Sequence, residues 1–311
     1  MRRFWPADNP MTHQVQLLGI SNAIVDVLAH VEEGFLEDIG AVPGSMTLID
    51  KEQAGALYGR MGPATEMSGG SVANTIAGFA NLGGAAAYIG KVKADQLGTI
   101  FNHDMRSLGV DIRLQAAPEG APTARSHVLI TEDGQRTMQT YLGACLELGL
   151  DDITEETVGA PKAMLLEGYV WDIAEGPALA KKAAEIGRAN GTAVALSLSD
   201  SFCVERHREF FLDFVRNDAD IIVADEEEVF ALLGTNTIDE TLDALTDFDN
   251  LFAITRSENG SVIVRKDDAV VQSASQVDKV VDTTGAGDAY SAGFLYGWAN
   301  DKSLEDCAKY G

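Results

Sequence analysis

Cysteine is scarce in this 311-residue chain: Cys145, Cys203 and Cys307 are isolated and odd in number. A disulfide framework is thereby excluded, and a reducing, cytoplasmic setting is expected. The five histidines (His13, His30, His103, His127 and His207) show no His-x-x-x-His spacing, and no Cys-x-x-Cys occurs. Neither a structural zinc nor a His-centred mechanism is supported. Basic residues are also few, with 23 Lys and Arg against 48 Asp and Glu, for a formal net charge of -25. Such a surface repels phosphate backbones and anionic lipid, which argues against nucleic acid and membrane partners. No apolar run approaches the ~20 residues that span a bilayer. The basic start Met1-Arg2-Arg3-Phe4-Trp5-Pro6 lacks the continuous apolar stretch and small-residue cleavage site of a signal peptide. Residues 1–13 are expected to be a disordered extension, with Met11 as a possible alternative start. A Walker-type Gly-x-x-x-x-Gly-Lys-Ser/Thr run is missing, as are internal repeats and low-complexity tracts.

What remains is the composition of a globular enzyme, with 46% hydrophobic residues and enough length for one large α/β domain with a small appendage. Apolar runs predict strands over 16–19, 85–89, 163–167, 192–196, 221–223 and 251–255. Helical periodicity predicts helices over 71–82, 96–108, 174–190, 225–233 and 287–298. The alternation predicts an α/β fold, a mainly parallel central sheet with helices on both faces. Ligands then gather at the C-terminal ends of the strands. Two stretches break the rhythm: 25–31 with 46–49, and 123–131 with 136–141, read as β segments without crossover helices. Glu132-Asp133-Gly134-Gln135 has the composition of a hairpin turn.

The most informative segment is Asp282-Thr283-Thr284-Gly285-Ala286-Gly287-Asp288-Ala289-Tyr290-Ser291-Ala292-Gly293-Phe294. Val280 and Val281 precede it in a short apolar run suited to the end of a strand. Strand, glycine turn and helix start coincide, so backbone N–H groups stand uncovered at the positive end of a helix. That is an anion cradle with Asp288 at its lip. From the residues alone, Asp288 reads either as a helix cap or as an acceptor for the proton of an attacking hydroxyl. The full string closely resembles the second signature of the ribokinase-like (PfkB) carbohydrate and nucleoside kinases. The resemblance implies that Asp288 is the catalytic base and that the amides of Gly285, Ala286 and Gly287 form the anion hole.

A second region carries the same resemblance. Ser68-Gly69-Gly70-Ser71-Val72-Ala73-Asn74-Thr75 leads into an apolar helix, then Gly83-Gly84, a short strand and another helix from Asp95. It resembles the first signature of the family, whose Gly-Gly pair and downstream Asn hold substrate hydroxyls. The resemblance covers the chain from about residue 16 onward and implies one kinase domain over 14–311. A small β lid, built from about 25–50 and 120–142, would exclude water from the cleft. Substrate contact is implied for Asp26, Gly70 and Asn74, and for Asn22, the neighbour of Asp26 in the nucleoside-kinase branch.

On the nucleotide side, Asp225-Glu226-Glu227-Glu228 stands where the family shows Asn-x-x-Glu, linked to magnesium and phosphate positioning. Glu228 keeps the Glu; Asp225 replaces the Asn, retaining an oxygen ligand and losing an amide donor. An acidic first helical turn is the alternative reading of these residues. Thr255-Arg256-Ser257-Glu258-Asn259-Gly260 resembles the Thr-x-Gly-x-x-Gly turn that contacts ATP, with Thr255 and Gly260 matching and Ser257 in place of Gly. Arg136 is expected to meet the transferring phosphate. The resemblance also implies a further helix that lines the adenine pocket, whereas this sequence stops at Lys309-Tyr310-Gly311 within a helix. The cofactors implied are ATP and Mg2+, with a monovalent cation such as K+ a further possibility, and the assembly is a monomer or homodimer.

Ser71 stands where ribokinases carry Lys, so the first signature together with the Asn22/Asp26 pair resembles the adenosine kinase branch. The expected substrate is a ribonucleoside, adenosine first, with ribose, fructose or a similar sugar as the alternative. Tyr141, Phe79 and Tyr169 are candidates for a base slot or for core packing. A non-catalytic nucleotide or metabolite sensor on the same fold is the alternative from another class.

Overall fold

The computed structural model of the chain describes residues 14–32, 34–266, 268–278, 280 and 283–311. The strands are β1 Leu17–Ile20, β2 Ile24–His30, β3 Met46–Leu48, β4 Thr65–Gly69, β5 Ala86–Ile89, β6 Asp111–Ile112 and β7 Ala124–Ile130. They continue as β8 Arg136–Tyr141, β9 Ala163–Glu167, β10 Ala193–Ser197, β11 Ile221–Asp225, β12 Leu251–Thr255, β13 Ser261–Arg265 and β14 Asp268–Gln272.

Nine of them form one sheet in the order β14-β13-β12-β11-β10-β9-β1-β5-β6. From β12 to β6 every pairing is parallel; β13 and β14 add antiparallel at one edge. The central strands are buried along their length, as the helices on both faces require. Alternation divides their side chains between two cores. Leu18, Ile20, Met164 and Leu166 pack on one face, while Leu17, Ala163 and Leu165 pack on the other beside Ile76, Phe79, Phe294 and Leu295. The expected α/β architecture is therefore the observed one.

Strand order reverses around β1, which has β9 on one side and β5 on the other. A crevice opens at such a point, beyond the carboxyl ends of the strands. The remaining five strands form a separate sheet, β3-β8-β7-β2-β4, with the 7–8 hairpin closed by Thr131 N–H donating to Gln135 O at 3.0 Å.

The structure adds elements that the apolar runs and helical periodicity do not predict, among them helix Ser201–Asn217. β4 is another, because only its pairing with β2 gives Thr65–Gly69 a strand's environment. Helix Lys51–Arg60 was missed, although Asp50 and Gln53 cap it reciprocally at 2.8 and 2.9 Å. Val280 lies outside any strand; Val281, Asp282 and the expected disordered extension over 1–13 lie outside the described residues. No helix among the described residues is long and apolar enough to cross a membrane.

Candidate active site

Two helices on the same face of the large sheet meet at the crevice. Helix Ser71–Asn81 starts from Gly70 at φ +96°, and helix Ala286–Ala299 starts from Gly285 at φ +71°. Both values lie in the left-handed region, where a Cβ is strained, which explains glycine at each entry. A side chain on Gly70 would also lie 2.7 Å from the Asn22 carbonyl oxygen, so the two turns are pressed together.

Asp288 occupies the first turn of the second helix, and both of its carboxylate oxygens are held. Ser71 Oγ donates to Oδ1 at 2.7 Å, and Asn74 Nδ2 donates to Oδ2 at 3.0 Å. Thr75 Oγ1 donates to the Asp288 main-chain oxygen at 3.3 Å. Burial pushes the Asp288 carboxyl above its ordinary range, and the Ser71 and Asn74 donors pull it back down.

Of the amides expected to form the anion hole, one has a partner within the turn. Ala286 N–H donates to Thr283 O at 3.1 Å within the turn, so that amide is occupied. Helical geometry leaves the N–H groups of Gly287 and Asp288 without intrahelical acceptors, and the first i→i−4 bond is Ala289 N–H to Gly285 O at 2.8 Å. The Asp288 amide thus joins Gly287 at the positive end of the helix.

On the other wall, Asp26 projects from β2 with its carboxylate against Gly69 of β4. Burial pushes the Asp26 carboxyl up to about 6; the Arg136 guanidinium opposes this and the Asp288 charge adds to it. Arg136, at the start of β8, therefore bears on Asp26 from the small sheet. Asn22 is buried in the turn after β1, and its Oδ1 has no hydrogen-bond partner. An orphan acceptor in a buried turn is costly unless something supplies a donor.

Glu167 gave no signal in the sequence, since it ends an apolar strand. Its two oxygens accept from the Asn22 and Val72 amides at 2.9 and 3.3 Å, tying the turn after β1 to helix Ser71–Asn81. It is fully buried, and desolvation pushes its carboxyl up to about 7.

The residues expected to meet the nucleotide lie further along the same edge. Asp225 and Thr255 are register partners at the ends of β11 and β12. Arg256 Nε donates to Glu226 Oε2 at 3.1 Å and links the two loops. Asp225 caps helix Glu226–Leu233: its Oδ1 accepts from Glu228 N–H at 2.8 Å, and Glu228 Oε2 accepts from Asp225 N–H at 2.9 Å. Burial, then the Asp225 charge, push the Glu228 carboxyl up to about 8. The pair fits a hard cation, because each carboxylate keeps a second oxygen outside the cap and a positive charge would relieve the crowding of acids. Gly260 closes the β12–β13 turn, its Cα facing the chain at Gln272 and Ala274 where a side chain would collide.

Of the aromatic candidates, Phe79 is fully buried in the core and packs edge-on against Tyr296, while the Tyr169 hydroxyl donates to Asp200. Tyr141 of β8 remains partly exposed. Among the described residues, one cluster has metal-compatible donors, Asp172, Cys203 and His207. It shares no residue with the expected pair, and Arg206 together with His207 already engages Asp172, at 2.8 and 2.7 Å.

Comparison with known proteins agrees with this geometry. The description "pfkB family carbohydrate kinase" matches residues 39–311. A solved structure of an adenosine kinase from Sinorhizobium meliloti is 48% identical, with a TM-score of 0.88 over 96% of this chain and 91% of that one. A probable sugar kinase protein from Rhizobium etli CFN 42 is 45% identical, with a TM-score of 0.88 over 96% and 90% of the two chains. A 5-dehydro-2-deoxygluconokinase from Clostridium perfringens is 26% identical over 254 residues, 78% of this chain and 75% of its own. With most of its length matched, and with the fold of those solved structures, the chain belongs to the pfkB family of carbohydrate kinases and is a phosphotransferase acting on a sugar or nucleoside.

Proposed function

We propose that the protein transfers the γ-phosphoryl group of ATP to a primary hydroxyl of a ribonucleoside, adenosine first. The observation that carries this reading is the meeting of Asp288, held at a helix N-terminus, with two acceptor groups, Asp26 and the unpartnered Asn22 Oδ1. The half-buried Asp26 carboxylate suits the vicinal hydroxyls of a ribose, and a substrate lacking them would leave it unpaired. The 48% identity to an adenosine kinase favours a nucleoside over a free sugar.

In this reading the hydroxyl attacks the γ-phosphorus in line while Asp288 takes its proton. The Gly287 and Asp288 amides, with Gly285 shaping the turn, stabilise charge on the phosphoryl oxygens. Asp225 and Glu228 would hold Mg2+, which neutralises charge on the nucleotide phosphates. Thr255 and Gly260 border the nucleotide. The small sheet serves as a lid that excludes water, with Arg136 compensating charge on the substrate side.

A second reading, phosphorylation of a free sugar or sugar acid, draws on the Rhizobium etli and Clostridium perfringens relatives. Coupled ADP release with Mg-ATP decides between them, using adenosine, other ribonucleosides, ribose, fructose and 5-dehydro-2-deoxygluconate. Turnover with adenosine and not with the sugars is expected; turnover with sugars alone keeps the chemistry and overturns the substrate. In the same assay Asp288→Asn is expected to lower kcat by ~10²–10⁴-fold with nucleotide affinity little changed. Near-normal turnover of that variant would remove Asp288 from the reaction.

A further inference from the structure

Asn74, an expected substrate contact, donates from Nδ2 to Asp288, and Ser71 takes the other oxygen of the same carboxylate. Ser71, Asn74 and Thr75 stand at i, i+3 and i+4, so they share one face of helix Ser71–Asn81. All three reach one residue, Asp288, by two side-chain bonds and one main-chain bond. Gly78 continues that face one turn on. A Cβ on Gly78 would lie 2.9 Å from the Cβ of Ala292, which belongs to the helix that carries Asp288. The two helices therefore approach more closely than two side chains would allow, and this closeness brings short side chains within reach of the carboxylate.

We propose that Ser71 and Asn74 are positioning residues for Asp288, and that the Gly78–Ala292 contact sets the distance at which they reach it. A carboxylate buried among other acids gains from protonation, and a protonated Asp288 accepts no proton. Two donors, one per oxygen, favour the ionised form and fix the plane of the group, while each oxygen keeps a second lone pair for the incoming hydroxyl. The acids whose charge is felt with that of Asp288 are Asp26 from β2, Glu167 from the end of β9 and Glu228 from helix Glu226–Leu233. Arg136 from β8 acts on Asp26. Ser71→Ala leaves all of these groups in place.

The proposal rests on the reading of Asp288 as the base, so the experiment separates the two. kcat and KM are measured against pH for the full chain with its best acceptor substrate, for wild type, Asp288→Asn, Ser71→Ala, Ser71→Thr and Asn74→Ala. The expected result is an acid limb of kcat displaced to higher pH by about one unit for Ser71→Ala, with Ser71→Thr restoring the wild-type limb. Asn74→Ala is expected to move the limb the same way. An unmoved limb with raised KM for the acceptor would make Ser71 and Asn74 substrate contacts and overturn the proposal. An active Asp288→Asn would instead overturn the assignment of the base.

A second arm needs neither donor changed. Gly78→Ala is expected to lower kcat by about tenfold, the cost of a misplaced reacting group, and the size swap Gly78→Ala with Ala292→Gly is expected to recover most of it. Full activity of Gly78→Ala, or failure of the swap to recover a folded but slow variant, would remove the helix contact from the proposal.

Discussion

The two ends of the crevice are built from the same kind of residue and use it differently. At the Asp288 end, acids come from separate elements: Asp26 from β2, Glu167 from the end of β9 and Asp288 from a helix start. Glu167 is buried while Asp26 and Asp288 are half-buried, and desolvation raises all three carboxyls. At the Asp225 end, Asp225 and Glu228 are three residues apart and satisfy one another's backbone N–H groups. The first arrangement spends folding energy on groups the local backbone does not need. The second would stabilise its helix in any protein. Desolvated acids with no local structural task are the stronger sign of chemistry, and on that ground the proposed substrate side is better marked than the proposed nucleotide side.

The comparison is most sharply tested by Asp288→Asn, whose expected loss of ~10²–10⁴-fold in kcat exceeds that of any change at the other end. Next comes Asp26→Asn. It keeps the shape but weakens an acceptor, and is expected to raise KM for a ribose-containing substrate by about 10–100-fold with nucleotide KM unchanged. Steady-state kinetics with each substrate varied in turn would expose an error here if the nucleotide KM moved instead.

Glu167→Gln is smaller and structural. An amide cannot accept from two N–H groups with both of its ends, so about 1–3 kcal/mol of stability should be lost in urea unfolding. The pH dependence has a definite sign. Asp26 and Glu167 have folded-state values of about 6 and about 7, above their ordinary 3.8 and 4.5. The fold therefore binds these protons more tightly than the unfolded chain does. Their contribution is fully present below about pH 4 and is lost as pH rises through 6 and 7. Unfolding free energy measured between pH 5 and 8 should fall with pH, and Glu167→Gln should flatten that slope. An unchanged slope would mean Glu167 is not the group responsible.

Asp225→Ala should have the smallest effect on stability, about 1 kcal/mol for a lost cap. Its Mg2+ titration of activity carries the sharper information. An unchanged half-saturation would leave Asp225 a cap alone, and a large rise would make the nucleotide end chemical as well.

Much of the large sheet was legible because its strands are short continuous apolar runs and its helices carry a 3.6-residue repeat, as in 163–167 and 71–82. β4 was not, because Thr65–Gly69 is polar on one side and gains its environment only from β2 across a long separation in sequence. Asp288 and the glycine entries were legible because turn, helix start and acid are adjacent in sequence. Glu167 was not, since nothing in Ala163–Glu167 reveals that two amides from distant turns converge on its side chain. The bond from Asn74 to Asp288 was not legible, because spacing along a helix shows which residues share a face and not what that face meets.

Local sequence sets the α/β alternation, the two glycine-started helices and the chemistry available at their ends, because backbone sterics and hydrophobic period act over a few residues. Which of these groups meet is a matter of packing. It brought Ser71 and Asn74 onto Asp288, Glu167 onto two backbone amides, and the Arg136 charge onto Asp26. These contacts depend on how closely elements distant in sequence pack, and at Gly78 and Ala292 that closeness is set by the absence of one methyl group.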